Sequence, residues 1–435
     1  MIRFLSRTPS RTRWSTLCCG LVALVAATFC AGTWAQASAP LDLEAAIALA
    51  LERSPRLAIE RQTLETATAD RQVAAARPNP TLSLSRQARS QPLAGAGAQQ
   101  DVTLEWPLQV GGKREARIES ADRGLTLARA RIDAAASQLV EEVGSAFFSL
   151  LAAQERVRIL DQAVDDVARL AQIVSRRRDS GMASQYDVVR MELESSAWRS
   201  RQVEAVAEQT DLQSRLASLM GLSQGVPLPQ AQGTLTPWPL DLNEPADLAR
   251  HPLLRALQGD RGLAQANLEL ARRERLPALS VFVGRGWGAD RPGGVGSAGM
   301  SLELPFLDTR IGLAHRAASE LRASILRGQA AETELGAELT RQTALVRQRS
   351  VAVERQAQTV LPRLNTLRQM AQDAYRLGRG TLVDLLDATR VRHDTELDQL
   401  AQRASLLEAQ WRLKALRADL PGLVRESGAS APDPR

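Results

Sequence analysis

Cysteine and histidine are scarce in this chain, and their scarcity removes several kinds of site. The 435 residues include 3 cysteines, all within the first 30 positions. A chain that loses this segment has neither disulfides nor thiolate metal ligands. The 3 histidines are His251, His315 and His393. They lie far apart and none is one helical turn from another, so no metal site is predicted. His251 before a proline and His393 beside Asp394 are interpreted as ordinary surface positions.

Aromatic residues make up 3% of the chain, and the net charge is +6. Four arginines within the first 13 residues account for most of this charge, which leaves about +2 on the rest. The remaining charges are interspersed rather than clustered with stacking side chains, so nucleic-acid binding is not expected. The sequence also lacks a paired acid and base, a nucleophile elbow and a phosphate loop. We therefore predict no catalytic residues and no cofactor, and hence no enzyme.

Long apolar runs are also missing beyond the N-terminus, so no transmembrane helix is predicted there. The N-terminus itself combines four arginines, a short apolar run over 17–31 and the small-residue site Ala35-Gln36-Ala37. This pattern predicts a signal peptide over residues 1–37. Lipidation at Cys30 is an alternative, although the preceding Thr28-Phe29 fits a lipidation site poorly. The mature protein is then periplasmic, secreted, or held in an outer membrane by β-strands.

The chain contains a duplication with a spacing of 197 or 198 residues. Matching pairs of landmarks are Ser54-Pro55 with His251-Pro252, 104–107 with 302–305, and Gly181, Ser184 and Asp187 with Gly378, Thr381 and Asp384. Landmarks of different chemistry keep one spacing, which predicts two copies of one folding unit. We assign residues 38–221 to repeat 1 and 222–420 to repeat 2. Residues 421–435, rich in Pro, Ser, Gly and Ala, are expected to form a disordered tail.

Each repeat is expected to contain a long coiled-coil helical hairpin, at about 112–221 and about 307–420. Apolar residues recur every seven positions in the first rod, in two parallel series. The first series is Val143, Leu150, Val157, Val164 and Ala171, and the second is Ala146, Ala153, Leu160, Val167 and Val174. A sustained heptad pattern is typical of coiled coils. Pro362 is expected to kink the second rod, because it removes a backbone donor.

Both rods are predicted to reverse at the duplicated landmark. Gly181 and Gly378 suit the left-handed conformation that ends a helix. Ser184 and Thr381 then begin the returning helices, with an aspartate three residues later in each case. This arrangement resembles a capping box with Asp in place of Glu.

Alternation of apolar and polar residues predicts strand pairs at about 80–107 and about 277–305. Small and turn-forming residues are expected to connect them, over 92–98 and over Gly288 to Gly299. Two soluble hairpins packed on helices would give the same pattern. Strands of a membrane barrel are the alternative. Four strands from one chain cannot close a barrel, but three chains would supply twelve strands, which can. Trp106 and Trp287 are the best candidates for an aromatic girdle.

At this point the chain resembles the TolC-type outer-membrane efflux channels over about residues 41 to 420. The sharpest local match is 375–389, beginning Tyr375-x-x-Gly378. The stretches 107–114 and 305–312 resemble the heavy-metal branch, the cobalt-zinc-cadmium type. The resemblance implies a mainly helical fold with a membrane β-barrel part. It further implies a homotrimer with a twelve-stranded barrel in outer-membrane lipid and a periplasmic α-helical tunnel. The tunnel would dock to a periplasmic adaptor and an inner-membrane pump of the RND type.

The same resemblance assigns roles to residues near the hairpin tips. Asp384 and Asp387 share one helix face and would form a carboxylate ring at the periplasmic aperture, although Asp384 could equally be a helix cap. Tyr375 and Asp187 match positions that hydrogen-bond between hairpins in a closed state. A surface tyrosine beside a capping aspartate is the alternative. The tip residues match the adaptor-docking turns: Gly181, Met182, Ser184, Gly378, Arg379 and Thr381. Gly380 stands where other members carry an arginine, with Arg379 one position away, which places the arginine part of the lock in question.

The sequence therefore predicts the duct of a tripartite efflux system, located in the outer membrane with a periplasmic tunnel. Heavy-metal cations are the expected cargo, and drug efflux or type I protein secretion is an alternative for the same duct. An adaptor or scaffold in the periplasm is an alternative of another class. Such an adaptor would normally carry one hairpin rather than two.

Overall fold

The computed structural model describes residues 41–87, 98–222, 229–244, 246–288 and 291–420. The predicted signal peptide, the predicted tail and most of the first strand connection lie outside these ranges. The helices are α1 (Leu43–Arg53), α2 (Pro55–Ala75), α3 (Lys113–Asp179), α4 (Gln185–Leu219), α5 (Pro252–Glu274), α6 (Ile311–Thr359), α7 (Leu361–Arg376) and α8 (Leu382–Leu416). The strands are β1 (Thr81–Gln87), β2 (Gln99–Leu108), β3 (Ala278–Gly288) and β4 (Arg291–Glu303).

The heptad pattern of α3 produces the predicted coiled coil. Helix α3 has 67 residues and therefore extends about 100 Å. Val143, Leu150 and Val167 of the two heptad series are at most 1% exposed. Toward its C-terminal end, α3 packs against α4 and against the tip of the second hairpin in one apolar cluster. The two hairpins thus share a core near their tips.

The second rod is broken at the proline, as the sequence predicts. Helix α6 ends at Thr359 and α7 begins at Leu361, with Pro362 in its first turn. Proline is tolerated in a first helical turn because the missing N–H would have no intrahelical partner there. The break leaves Leu367 and Met370 of α7 exposed at 44% and 66%.

The four strands form one antiparallel sheet in the order β1-β2-β3-β4. Strands β2 and β3 come from different repeats, yet they pair over nine positions from Gln100–Trp287 to Leu108–Leu279. The strands are attached to helices at the end that contains Thr81, Leu108 and Glu303. The opposite end of the sheet is therefore the one furthest from the helices.

The predicted connection over Gly288 to Gly299 is wrong in its extent, because β4 already begins at Arg291. Gly296 and Gly299 of this stretch pair in register with Arg285 and Phe282 of β3. A side-chain carbon at Gly299 would lie 2.7 Å from the Phe282 ring, so the ring fills the space beside this glycine. Backbone pairing and a large neighbour across the strand together keep a glycine-rich segment extended.

A second core lies where α1, α3, α4 and α8 meet. Gly144 permits Trp411 to pack directly on α3, since a Cβ atom at position 144 would overlap the indole ring. The indole N–H of Trp411 donates to the carbonyl of Glu141 at 3.0 Å. Among the helices of the described ranges, none has the length and hydropathy needed to cross a lipid bilayer.

Candidate functional site

The hairpin tips reverse the chain through left-handed glycines, as the sequence predicts. Gly181 has φ 75° and Gly378 has φ 70°. The N–H of Met182 donates to the carbonyl of Arg177 at 2.7 Å, and the N–H of Arg379 donates to that of Ala374 at 2.9 Å. These bonds satisfy helix-end carbonyls within a single tight turn.

Both returning helices begin with a capping box. At the second tip, the N–H of Asp384 donates to the hydroxyl of Thr381 at 3.2 Å. In return, the hydroxyl and the backbone N–H of Thr381 donate to the Asp384 carboxylate at 2.6 and 3.0 Å. These bonds hold the pKa of Asp384 below its usual value. Ser184 and Asp187 form the same box at the first tip.

Asp387 lies one turn beyond the cap and is exposed, as is Asp384. Between them, Leu385 and Leu386 are 2% and 6% exposed and pack into the tip core. The two carboxylates therefore share the helix face that points away from the core. No ion pair to Asp387 occurs within the described ranges. A carboxylate with this freedom can respond to ions near the tip.

Tyr375 is buried, contrary to the alternative that treats it as a surface residue. It is 7% exposed and belongs to the core that both hairpins share. The guanidinium of Arg177 lies 4.3 Å from the centre of its ring, and the same side chain donates to the Tyr375 carbonyl at 3.0 Å. Arg177 was not singled out in the sequence, because its partner is 198 residues away.

Tyr375 and Asp187 do not form a hydrogen bond to each other in the described part of this chain. The Asp187 carboxylate accepts from the N–H and hydroxyl of Ser184 at 2.9 and 2.8 Å. Any contact of Asp187 with a tyrosine of another hairpin would be made in addition to this cap. The closed-state role of the pair stays a prediction.

The tip surfaces differ in what they expose. Met182 is 69% exposed at the first tip, and Leu377 is 71% exposed at the second. Arg379 is exposed, while Gly380 is partly enclosed. A Cβ atom at Gly380 would lie 3.1 Å from the Cβ of Ala374, so a side chain there requires its neighbour to move. Of the predicted docking residues, Met182 thus exposes an apolar side chain and Arg379 a cation.

His393 is fully buried, so its interpretation as a surface position is wrong. Its Nε2 lies 3.2 Å from Asp166 on α3, and its Nδ1 lies 3.2 Å from Glu396 on its own helix. The second contact does not meet the geometric criteria for a hydrogen bond and is an ion-pair contact when the imidazole is protonated. Trp198 of α4 packs edge-on against the imidazole at 5.7 Å. The side chain connects three helices about 18 Å above the second tip, since it lies 12 residues beyond Thr381.

A seven-residue series that could have identified His393 is present in the sequence. Leu386, His393, Leu400 and Leu407 are spaced by seven, and all four are at most 8% exposed. A histidine within such a series occupies a core position. Within the described ranges, no cluster of three or more histidine, cysteine or acidic side chains has the geometry to hold a metal ion.

Two duplicated coiled-coil hairpins with one four-stranded sheet define the TolC-type channel fold. The solved structure of the channel CusC overlaps this chain with a TM-score of 0.74 at 19% identity, covering 87% of this chain and 92% of CusC. Residues 46–222, which comprise most of repeat 1, match the family model for outer membrane efflux proteins. Over this segment the chain is similar to the outer membrane efflux proteins.

Two curated relatives extend the match along the chain. The cobalt-zinc-cadmium resistance protein CzcC of Cupriavidus metallidurans is 28% identical over 393 residues, which cover 86% of this chain and 90% of CzcC. The pyoverdine export outer membrane protein OpmQ of Pseudomonas putida is 28% identical over 333 residues, covering 72% of this chain and 69% of OpmQ. The recognition of the efflux family and its outer-membrane location is thereby confirmed.

Proposed function

We propose that this protein is the outer-membrane channel of a tripartite export system and acts as a homotrimer that passively conducts heavy-metal cations from the periplasm to the exterior. The observation that carries this proposal is the sheet, which exposes an apolar face and whose two edge strands have no further strand partner in the described part of the chain.

The sheet register gathers apolar side chains on one face. Rows of directly paired residues include Leu82–Leu104–Val283 and Trp106–Val281–Met300. Leu82, Val283 and Met300 are 59%, 57% and 73% exposed. Water makes such a face unfavourable, whereas lipid does not. The edge strands of the sheet, β1 and β4, would leave backbone groups unpaired in lipid. Three chains joined β4 to β1 would pair all edges in a twelve-stranded barrel.

An apolar stripe on α4 also supports association with further copies. Tyr186, Val189, Leu193 and Val203 are 65%, 44%, 68% and 68% exposed. They lie across the helix from the buried Met191 and Trp198, which face the chain's own core. A long helix with apolar residues on two opposite faces is expected to pack on two sides. A second copy of this chain is the partner that a closed ring of hairpins requires.

The hairpin tips are proposed to dock the periplasmic adaptor, which would connect the channel to an inner-membrane pump of the RND type. Exposed Met182 and Leu377 provide apolar contacts at the ends of both hairpins. Rigid capped turns present these side chains with little loss of conformational entropy on binding. The similarity to the outer membrane efflux proteins supports an adaptor and a pump as partners.

Heavy-metal cations are the proposed cargo, and this part depends on the similarity to CzcC along nearly the whole chain. Three copies of Asp384 and Asp387 would place six carboxylates around one axis. Such a ring lowers the energy of cations and raises that of anions through its field. The similarity to OpmQ keeps an organic cargo as the second candidate.

The trimer is tested by the mass of the detergent-solubilised protein. We expect the wild type to have three times the mass of the mature chain. Leu193→Glu, which places a charge on the α4 stripe, should dissociate it, and Leu193→Met should leave it intact. A wild-type protein that is monomeric in detergent would refute the channel.

The cargo is tested separately, by metal tolerance of a deletion strain. Loss of the gene should lower tolerance to zinc, cobalt or cadmium, and wild-type protein should restore it while Leu193→Glu should not. Unchanged tolerance to these ions, and to copper and silver, would remove the metal assignment and leave the channel standing.

A further inference from the structure

The two faces of the sheet differ in the sign of their charged side chains as well as in polarity. Asp101, Glu105 and Glu303 alternate with the apolar residues and so lie on the polar face. Arg86 is two positions from Leu84, and Arg285 is two positions from Val283, so both arginines lie on the apolar face. Neither face mixes the two signs among the strand residues whose side chains the structure describes. A sheet that only needed solubility would have no reason for this separation.

The two arginines lie in adjacent rows at the end of the sheet furthest from the helices. Arg86 on β1 pairs with Gln100 on β2, which pairs with Trp287 on β3. Arg285 is one row closer to the helices, paired with Val102. With strand spacings of about 4.8 Å and rows of about 7 Å, the two arginine Cα atoms are about 12 Å apart. We call Arg86 and Arg285 the rim pair.

Both members of the rim pair are exposed, and Trp287, which lies in the same row as Arg86, is 41% exposed. The Arg285 guanidinium is 5.8 Å from the centre of the Trp287 ring. Both side chains lie over Gly294, where φ is 68° and a Cβ atom would come 3.0 Å from Trp287 and 3.3 Å from Arg285. The glycine therefore gives room for the arginine and the tryptophan to lie side by side.

Below the rim pair the same face is apolar. The rows Leu82–Leu104–Val283–Ala298 and Trp106–Val281–Met300 follow toward the helices without a charge. A tryptophan at the boundary between an apolar band and a charged row is typical of a membrane–water interface. Because the helices lie on the periplasmic side in the proposed function, this interface is the outer one.

We propose that the rim pair binds the phosphate groups of a lipid in the outer leaflet, whose acyl chains pack on the apolar rows below. This inference rests on the proposed function for the orientation of the sheet. Guanidinium groups bind phosphate oxygens through two parallel hydrogen bonds. The contiguous apolar rows favour a lipid over free phosphate, since only a lipid fills both parts of the surface.

The experiment uses the purified full-length protein in neutral-detergent micelles and three probes. These probes are lipid A with its phosphates, lipid A with the phosphates removed, and inorganic phosphate. Binding is measured by native mass spectrometry at low salt. Two arginines near an anionic headgroup should favour the phosphorylated lipid by about thirtyfold. Inorganic phosphate should neither bind appreciably nor displace the lipid.

The matched variants remove the same charge at two places. Arg86→Gln with Arg285→Gln should abolish the preference for the phosphorylated lipid, and the lysine double variant should retain part of it. Arg250→Gln with Arg316→Gln, which removes two exposed helical arginines, should keep it in full. A wild-type protein without preference, or a rim variant that keeps it, would overturn the proposal. The mass of the assembly in the same spectra reports the trimer independently, so failure of the channel proposal is recognised separately.

Discussion

His393 Nε2 lies 3.2 Å from an Asp166 carboxylate oxygen, and this contact joins the second hairpin to the first. Arg392 reaches the same oxygen at 3.4 Å and also contacts Glu396 at 3.0 Å, while Arg169 contacts Asp166 at 2.8 Å. The cluster thus places an imidazole and two guanidiniums against two carboxylates. Its balance of charge depends on the protonation of His393.

This cluster predicts a pH-dependent stability. Burial lowers the pKa of His393, but the hydrogen bond to Asp166 and the Glu396 carboxylate outweigh burial, so the pKa of His393 is raised. The pKa of Asp166 is lowered, chiefly by its hydrogen bond to His393. A raised histidine pKa contributes stability below about pH 6.5, and that stability is lost as the pH rises through the folded-state value. Lowered carboxylate pKa values contribute stability above about pH 4, which is lost in acid.

We therefore expect His393→Gln to lower stability at pH 6 by about 1 to 3 kcal/mol and by less at pH 9. Thermal unfolding followed by circular dichroism at both pH values measures the difference. The exposed His315 provides a matched control, and His315→Gln should be neutral at both. An equal loss at pH 6 and pH 9 would show that His393 acts through packing only.

Gly144→Ala should be strongly destabilising, because the added Cβ would overlap the Trp411 indole. Overpacking of this kind costs about 1 to 3 kcal/mol or more. Gly124 lies on the same helix with no atom within 4 Å of an added Cβ. Gly124→Ala should therefore stabilise the protein by about 0.5 to 1 kcal/mol. Thermal melts of both variants decide the matter, and a neutral Gly144→Ala would mean that Trp411 can move.

Asp387→Asn should weaken cation selectivity without affecting the fold, because Asp387 is exposed and lies beyond the helix cap. Reversal potentials in planar bilayers under a potassium chloride gradient measure this selectivity. Asp384→Asn should also lower the unfolding midpoint, since the Thr381 hydrogen bonds to its carboxylate are weakened. If Asp387→Asn leaves the reversal potential unchanged, the carboxylate ring has no role at the aperture.

Tyr375→Phe separates a gating role of the hydroxyl from the packing role of the ring. The ring lies under Arg177 and in the shared core. Because Tyr375→Phe retains the ring, the free energy of unfolding should stay within about 1 kcal/mol of wild type. Tyr375→Ala should instead cost about 3 to 5 kcal/mol. If the hydroxyl holds neighbouring hairpins closed, Tyr375→Phe should raise the conductance of the resting channel. Unchanged conductance would assign Tyr375 to packing alone.

The tips were predictable from the sequence because their signals are local. A glycine, a hydroxyl residue three positions later and an aspartate three beyond determine the turn and the cap by themselves. The heptads of α3 likewise predict its buried seam. Each of these patterns needs only neighbours along the chain.

Burial of individual polar residues was less predictable, since it depends on partners far away in sequence. His393 meets Asp166 across 227 positions, and Tyr375 meets Arg177 across 198. The extended segment from Val295 to Gly299 has the same explanation, because pairing with β3 overrides the preference of glycine for turns. Of the sequence patterns, the repeat spacing alone indicated that residues about 197 positions apart lie in corresponding places.

The pairing of β2 with β3 also constrains how the protein is made. Gln100 cannot pair until Trp287, 187 positions later, has been synthesised, and the whole first hairpin lies between them in the sequence. Until β3 is available, β2 therefore has unpaired backbone groups along one edge and exposed apolar side chains. High contact order makes this step slow, and the exposed segment invites aggregation. The chain is therefore most prone to aggregation in the interval between the completion of β2 and the completion of β3.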